Sequence, residues 1–194
     1  MKIIKNKISK RDIILREASA LFKEKGFGSS TMRDLAERVG LEAASMYNHI
    51  KSKDELLEEI CFRIAGQYVS HITKIESEKS TYTEKIKAII RFHTRLMIDD
   101  AASVAVINNE WKSLSEPKLS QFTTLRKGYE TRFAALVDKG IAEKEFSRIN
   151  VSVAVFTILS ALRWVELWYN PKRKISEKEL EKDIVNLLLK GLKR

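Results

Sequence analysis

The chain has 194 residues, of which 44 % are hydrophobic and 32 % charged; this fits a globular protein with a real core rather than a disordered chain. Its 7 Gly and 2 Pro are too few for strands joined by tight turns, so long helices are expected. The net charge of +10 is uneven: residues 1–53 carry +6, residues 171–194 carry +4, and residues 54–170 balance to zero. A basic head on a neutral body suits a polyanion, although a solvated basic surface gives the same balance.

A first helix is expected over residues 11–25, with Ile14, Ala18, Leu21 and Phe22 on one face, Ser9 and Asp12 as a capping pair, and Gly26 as its terminator. A second begins at Thr31, spaced from Asp34 as in a capping box; it turns Leu35, Ala36 and Val39 inward and closes at Gly40. A third, short helix covers residues 43–49. Two short helices joined by a three- or four-residue turn holding a Gly make a helix-turn-helix pattern. Ser52 and Glu55 form another capping box, which opens a long helix carrying Leu56, Leu57, Ile60, Ile64, Tyr68 and Ile72, with no flexible linker before it. Further helices are expected over residues 82–98, 102–114, from Pro117 to a stop at Gly140, 150–169, and from a Ser176/Glu179 cap to near Lys193. The expected fold is all-α with about nine helices.

Single Cys61 lies in an apolar helical run, so no disulfide framework exists, and an inert buried thiol in a reducing compartment is expected. The basic start, residues 1–10, lacks an apolar core of signal-peptide length, and a cytoplasmic location is expected. The apolar stretch 151–169 is interrupted by Ser152, Ser160, Arg163 and Glu166 and reads as a buried helix, not a membrane span. There is no Gly-rich phosphate loop or metal-ligand cluster, and His49, His71 and His93 are dispersed. An enzyme, a metal site and a cofactor are therefore not expected.

Ser30-Thr-Met-Arg-Asp-Leu-Ala-Glu-Arg-Val-Gly-Leu41, Ser45-Met-Tyr47-Asn-His-Ile50 and Ser52-Lys53-Asp-Glu55-Leu56 follow Ala18, Leu21, Phe22, Gly26 and Phe27 at fixed spacing. Over residues 11–57 the chain closely resembles the TetR family of bacterial transcriptional regulators. Two residues depart from that pattern. Glu42 stands where the family has a Ser or Thr cap, and Ile50 stands where it has Phe. A carboxylate at position 42 is repelled by phosphates, or accepts a hydrogen bond from a cytosine amino group.

The resemblance implies a helix-turn-helix DNA-binding domain at residues 1–53, with the reading helix near 43–49, and double-stranded DNA as partner. Ala43 and Ala44 leave that helix slim enough for the major groove, and Ser45, Asn48 and His49 reach base edges or phosphates. Thr31 and Lys53 lie at helix N-termini, and Arg33 is placed to hold the backbone. By resemblance Tyr47 and Lys53 are phosphate clamps. The plainer alternatives are a packing Tyr47, a turn residue Asn48 and a capping or surface His49.

The resemblance also implies that residues 54–194 form a helical effector-binding and dimerisation domain. A homodimer is expected through the helices at about 150–169 (Val151, Val155, Ile158, Leu159, Leu162, Trp164) and 176–193 (Leu180, Ile184, Leu187, Leu188); an intramolecular core is the alternative. Candidate effector contacts are Tyr68, His71, His93, Met97, Asn108, Trp111, Phe122, Tyr129, Phe133 and Trp164, whose aromatic members are equally ordinary core residues. Glu110-Trp111, Lys127-Gly-Tyr129-Glu, Lys139-Gly140-Ile141, Glu145-Phe146 and Trp164-x-x-x-Trp168-Tyr169-x-Pro171 look like the branch of the family that senses acyl-CoA thioesters. On that reading Arg126, Lys127 and Arg132 meet CoA phosphates, or else they form a solvated face. A pocket for lipophilic cations, with Glu110 or Glu166 as its acid, is the rival; a helical adaptor without DNA binding is a third reading.

Overall fold

The protein is described by a computed structural model over residues 9–170, 175–190 and 192. Most of the basic start, and the last residues of the expected ninth helix, lie outside the described residues. Those described hold nine α-helices, one short 3-10 helix and no strand: α1 (Lys10–Lys25), α2 (Met32–Val39), α3 (Ala43–Met46), α4 (Lys53–Ser77), α5 (Tyr82–Asp99), α6 (Ala101–Asn109), the 3-10 helix (Trp111–Ser113), α7 (Lys118–Ala142), α8 (Val151–Trp168) and α9 (Glu177–Lys190). They form two compact units. One runs to Ile64 and includes Ala102–Phe122; the other comprises Ala65–Ala101 and the chain from Thr123 onward. The division between them falls inside α4 and α7.

In the first unit, α1 opens on a reciprocal box between Ser9 and Asp12 and buries Ile14, Leu15, Ala18, Leu21 and Phe22. Leu35, Ala36, Met46, Ile50, Leu56, Leu57, Ile60 and Ile64 are buried with them. Phe27 meets Phe22 edge to face at 5.2 Å. Gly40 ends α2 in the left-handed conformation at φ 67, which a side chain disfavours. The fully buried Ser19 and Ser103 hydroxyls bond each other at 2.9 Å, so neither is left unsatisfied. Burial and the charge of Glu110 push the Cys61 thiol up to about 12, which makes it inert.

Three local expectations are corrected in this unit. The third helix is a single turn, Ala43–Met46, followed by a turn over residues 47–49 in which the N–H groups of His49 and Ile50 both bond the Met46 carbonyl. Glu42 makes no side-chain cap, and Asn48 and His49 are weak helix formers, so nothing local prolongs it. The sixth helix stops at Asn109, the second of two consecutive asparagines, and the chain continues as a 3-10 turn instead of helix to 114. Helix α7 starts at Lys118, one residue after Pro117, whose carbonyl accepts the Gln121 N–H; the Glu116–Pro117 peptide is cis.

In the second unit, α5 packs on α8 and on α9. Helix α7 does not stop at Gly140 but runs through it to Ala142. A Cβ at position 140 would lie 2.3 Å from the Phe146 ring and 3.1 Å from Tyr82 Cβ, so the glycine serves close approach rather than termination. The chain then folds back: the N–H groups of Glu145 and Phe146 bond the Gly140 carbonyl, and the Glu145 carboxylate accepts the N–H groups of Tyr82 and Thr83 at the start of α5. Ser176 and Glu179 cap α9 as expected.

Helix α8 is apolar on two faces. Ala154, Val155, Ile158, Leu162 and Val165 are buried, whereas Val153, Phe156, Trp164, Leu167 and Trp168 are exposed. Val155, Ile158 and Leu162, expected at a subunit interface, are therefore core residues, as is Leu180 of α9. Leu187, also expected there, is 73 % exposed. By length and composition α8 would also pass for a membrane span, but its buried face belongs to a protein core.

Candidate nucleic-acid interface and buried aromatic cluster

Helix α2 starts with a closed box: the Asp34 N–H bonds Thr31 Oγ1 at 3.1 Å, and the Asp34 carboxylate accepts the Thr31 N–H at 2.8 Å and Lys25 Nζ at 2.9 Å. Hydrogen bonds from Thr31, and then from Lys25, hold the Asp34 carboxyl far below the usual carboxylate range. Thr31 and Arg33 are exposed at this helix start. In the next segment Ala44, Tyr47 and Asn48 are exposed, Ser45 and His49 half-buried, and Met46 and Ile50 fully buried. Tyr47 is 55 % exposed. The Ala43 side chain lies outside what the structure describes. Glu42 is exposed and caps nothing with its side chain.

Lys53 is more occupied than a free phosphate clamp. Its ammonium donates to the carbonyls of Phe27 at 2.7 Å and Ser30 at 2.8 Å, and lies 4.3 Å above the Phe27 ring centre. An ammonium has three N–H donors, so one remains for an anion. Two arginines that sequence reasoning missed join the helices of this unit. Arg38 of α2 forks onto Glu24 of α1 and reaches Glu17. Arg11 of α1 bonds Glu55 and Glu59 of α4 and the carbonyl of His49. Their partners lie 14 to 48 residues away in sequence, so no local spacing reveals them.

The effector candidates sort into three places. Tyr68, His93, Tyr129 and Phe133 come together in the second unit: His93 Nε2 lies 2.7 Å from the Tyr129 hydroxyl, Tyr68 stacks on His93 at 4.2 Å, and Tyr129 meets Phe133 at 6.4 Å. Met97 is buried in that unit, and His71 stacks on Phe92 at 4.0 Å. Burial pushes His93 down to about 3, so it is neutral at ordinary pH. Burial also raises both tyrosine hydroxyls, and the charge of Glu166 adds to the effect on Tyr68.

Asn108, Trp111 and Phe122 belong to the first unit, where Trp111 stacks on Phe122 at 5.7 Å. Trp164, 62 % exposed, stands on the outer face of α8. Of the basic candidates, Arg126 pairs with Glu130, and Arg132 with Glu76 and Thr73, leaving Lys127 exposed. A cavity of about 260 Å³ in the first unit, lined by Asp54, Leu57, Glu58 and residues 113–118, contains none of the expected residues. Among the described residues no group of three or more His, Cys, Asp or Glu is placed to hold a metal.

Residues 14–60 match the family model for bacterial regulatory proteins, tetR family, and residues 79–192 match that for the tetracyclin repressor-like C-terminal domain. The chain is 25 % identical over 187 residues to the HTH-type transcriptional repressor KstR2 of Mycolicibacterium smegmatis, covering 95 % of this chain and 91 % of that one. The ketosteroid transcriptional regulator KstR2 of Mycobacterium tuberculosis has the same fold, with a TM-score of 0.91 at 21 % identity over the whole of both chains. AibR, in complex with isovaleryl coenzyme A and operator DNA, has a TM-score of 0.80 at 18 % identity, covering 92 % of this chain and 97 % of that one. With the head and the body each matched by its own model, the chain belongs to the TetR family of bacterial transcriptional regulators.

Proposed function

We propose that this protein is a cytoplasmic repressor that binds a palindromic operator as a homodimer and is released by a small molecule. The observation that carries the reading is the split within residues 44–50, where Met46 and Ile50 anchor the segment while Ala44, Tyr47 and Asn48 stay exposed. Thr31, Arg33, Ser45, His49 and the spare N–H of Lys53 complete the set assigned to DNA, with Ala43 at its leading edge. Residues 1–53 are assigned to DNA binding and 54–194 to the effector and the second subunit. One short segment reads few base pairs, so two copies on a two-fold axis are needed to read half-sites about one helical turn, or a multiple of it, apart.

The dimer is assigned to the exposed stripe Val153, Phe156, Trp164, Leu167 and Trp168 on α8, with Leu187 on α9. Changing Trp164 and Leu167 together to Asp is expected to halve the mass in solution and abolish operator binding; an unchanged mass would reject this interface. With four or five phosphates neutralised per subunit, the log–log slope of affinity against salt should be about −7 to −9. A slope near zero, measured on DNA selected by the protein from a random pool, would reject DNA binding.

The effector site is assigned to the cluster of Tyr68, His93, Met97, Tyr129 and Phe133, and an acyl-CoA thioester is the favoured class. AibR, which shares the fold, was captured with isovaleryl coenzyme A. The acid Glu166 near Tyr68 supports a lipophilic cation as a second reading. Native mass spectrometry of the purified protein distinguishes them: an added mass of a CoA thioester supports the first, and an organic cation the second.

A further inference from the structure

Arg11 sits where three segments of the first unit converge. It is the second residue of α1, and its guanidinium spreads in three directions. Nη1 donates to the His49 carbonyl at 2.8 Å, Nη2 to Glu55 Oε1 at 2.8 Å and to Glu59, and Nε to Glu59 Oε2 at 3.1 Å. Glu55 and Glu59 are four residues apart on α4 and so share a face. The second oxygen of Glu55 accepts the Lys51 N–H at 2.8 Å. The chain leaving the reading turn is thus held by its His49 carbonyl and its Lys51 amide, on either side of buried Ile50 in sequence, to one ionic network.

We propose that Arg11 is a positioning residue for DNA reading: it fixes the end of the reading turn against α1 and α4, so that Ser45, Asn48 and His49 meet base edges in register. The geometry requires arginine. A planar fork serves a carbonyl and two carboxylates at once, whereas a lysine is a point charge on a flexible stem. With Arg11 41 % exposed, each bond adds little to stability, and what the set supplies is direction. The inference rests on the DNA-binding reading, and its test separates the two.

Operator duplex is selected from random DNA by the wild-type protein, and a scrambled duplex of equal length serves as the non-specific probe. If the wild type selects no sequence, the DNA reading itself fails before any variant is made. In Arg11→Gln, melting is expected to stay within a few degrees of wild type and operator affinity to fall about tenfold, the loss that follows one misplaced base contact. Affinity for scrambled DNA and the salt slope should be unchanged. Arg11→Lys should not restore operator affinity. A folded Arg11→Gln that binds operator within twofold of wild type overturns the proposal, as does full rescue by lysine. Equal weakening on both duplexes with a slope smaller by about one would make Arg11 a phosphate contact instead. Should Arg11→Gln fail to fold, Glu59→Gln gives the reading with Arg11 in place: operator affinity is expected to fall about threefold with scrambled-DNA affinity unchanged, and no loss would overturn the proposal.

Discussion

The first unit ties its helices mainly through ion pairs at its edge, with the Ser19–Ser103 pair inside, whereas the second holds a histidine–tyrosine pair within its aromatic cluster. Around the small apolar centre of Leu21, Leu35, Met46 and Ile50, helices α1, α2 and α4 are joined by Arg11, Arg38, Lys25 and Lys53, each reaching a carboxylate or carbonyl on another segment. In the second unit His93 and Tyr129 satisfy each other among Tyr68, Phe133 and Met97. Edge pairs contribute about 0–1 kcal/mol each and weaken with salt, but they fix angles. Buried polar pairs are costly to break and insensitive to salt. One design suits a surface that must present side chains at set angles, and the other a body whose interior must discriminate.

The largest effect should come from the apolar side of that contrast. Phe133→Ala removes a fully buried ring from the body and should cost about 3–5 kcal/mol, read as a lower urea midpoint. A loss below about 1 kcal/mol would mean that the body is not packed as described. Acid should act next, and on the body before the head. His93 titrates in the fold near 3 against an ordinary value of 6.5, so its contribution is present above pH 6.5 and is lost as pH falls towards 3, by a few kcal/mol in order of magnitude. The head's Glu55 and Asp34 are likewise held below their ordinary values of 4.5 and 3.8, so their ties are lost only at lower pH. Between pH 6 and 5 stability should therefore fall more steeply in wild type than in His93→Gln, where His71, also held below its ordinary value by burial, still contributes; parallel curves would remove His93 from the explanation.

The smallest effect is a gain in the head. Glu42→Ser supplies the missing cap of α3 and should stabilise it by about 0.5–1 kcal/mol. On the proposed DNA-binding reading, with Glu42 set against phosphates, it also removes a repelling carboxylate, so affinity for scrambled DNA should rise a few-fold in a filter-binding titration. An unchanged or weaker affinity would show that Glu42 does not face the backbone.

What was legible in the sequence was local. The boxes at Ser9/Asp12, Thr31/Asp34 and Ser176/Glu179 are fixed by three-residue spacing, and each forms as spaced. Gly140 was misjudged because its reason is the close approach of the Phe146 ring, brought back by the turn that follows α7, rather than a helix end. The two faces of α8 were not separable because both are apolar: Val155 is buried and its neighbour Phe156 exposed, and only the position of α5 decides which is which. Lys53 and Arg11 found partners that no periodicity encodes. Among the aromatic candidates Phe133 is buried and Trp164 exposed, because composition alone does not assign a ring to a core, a cluster or a surface.

The single turn of α3, pinned from below by Met46 and Ile50, bears on how such a protein changes over generations. The exposed positions 44, 47 and 48 lie outside the fully buried core, so a lineage can exchange them with less cost to the fold than Met46 or Ile50. New target sites can thus arise by drift on an unchanged scaffold, and a chimera carrying another regulator's residues at those three positions should fold as readily as its parent.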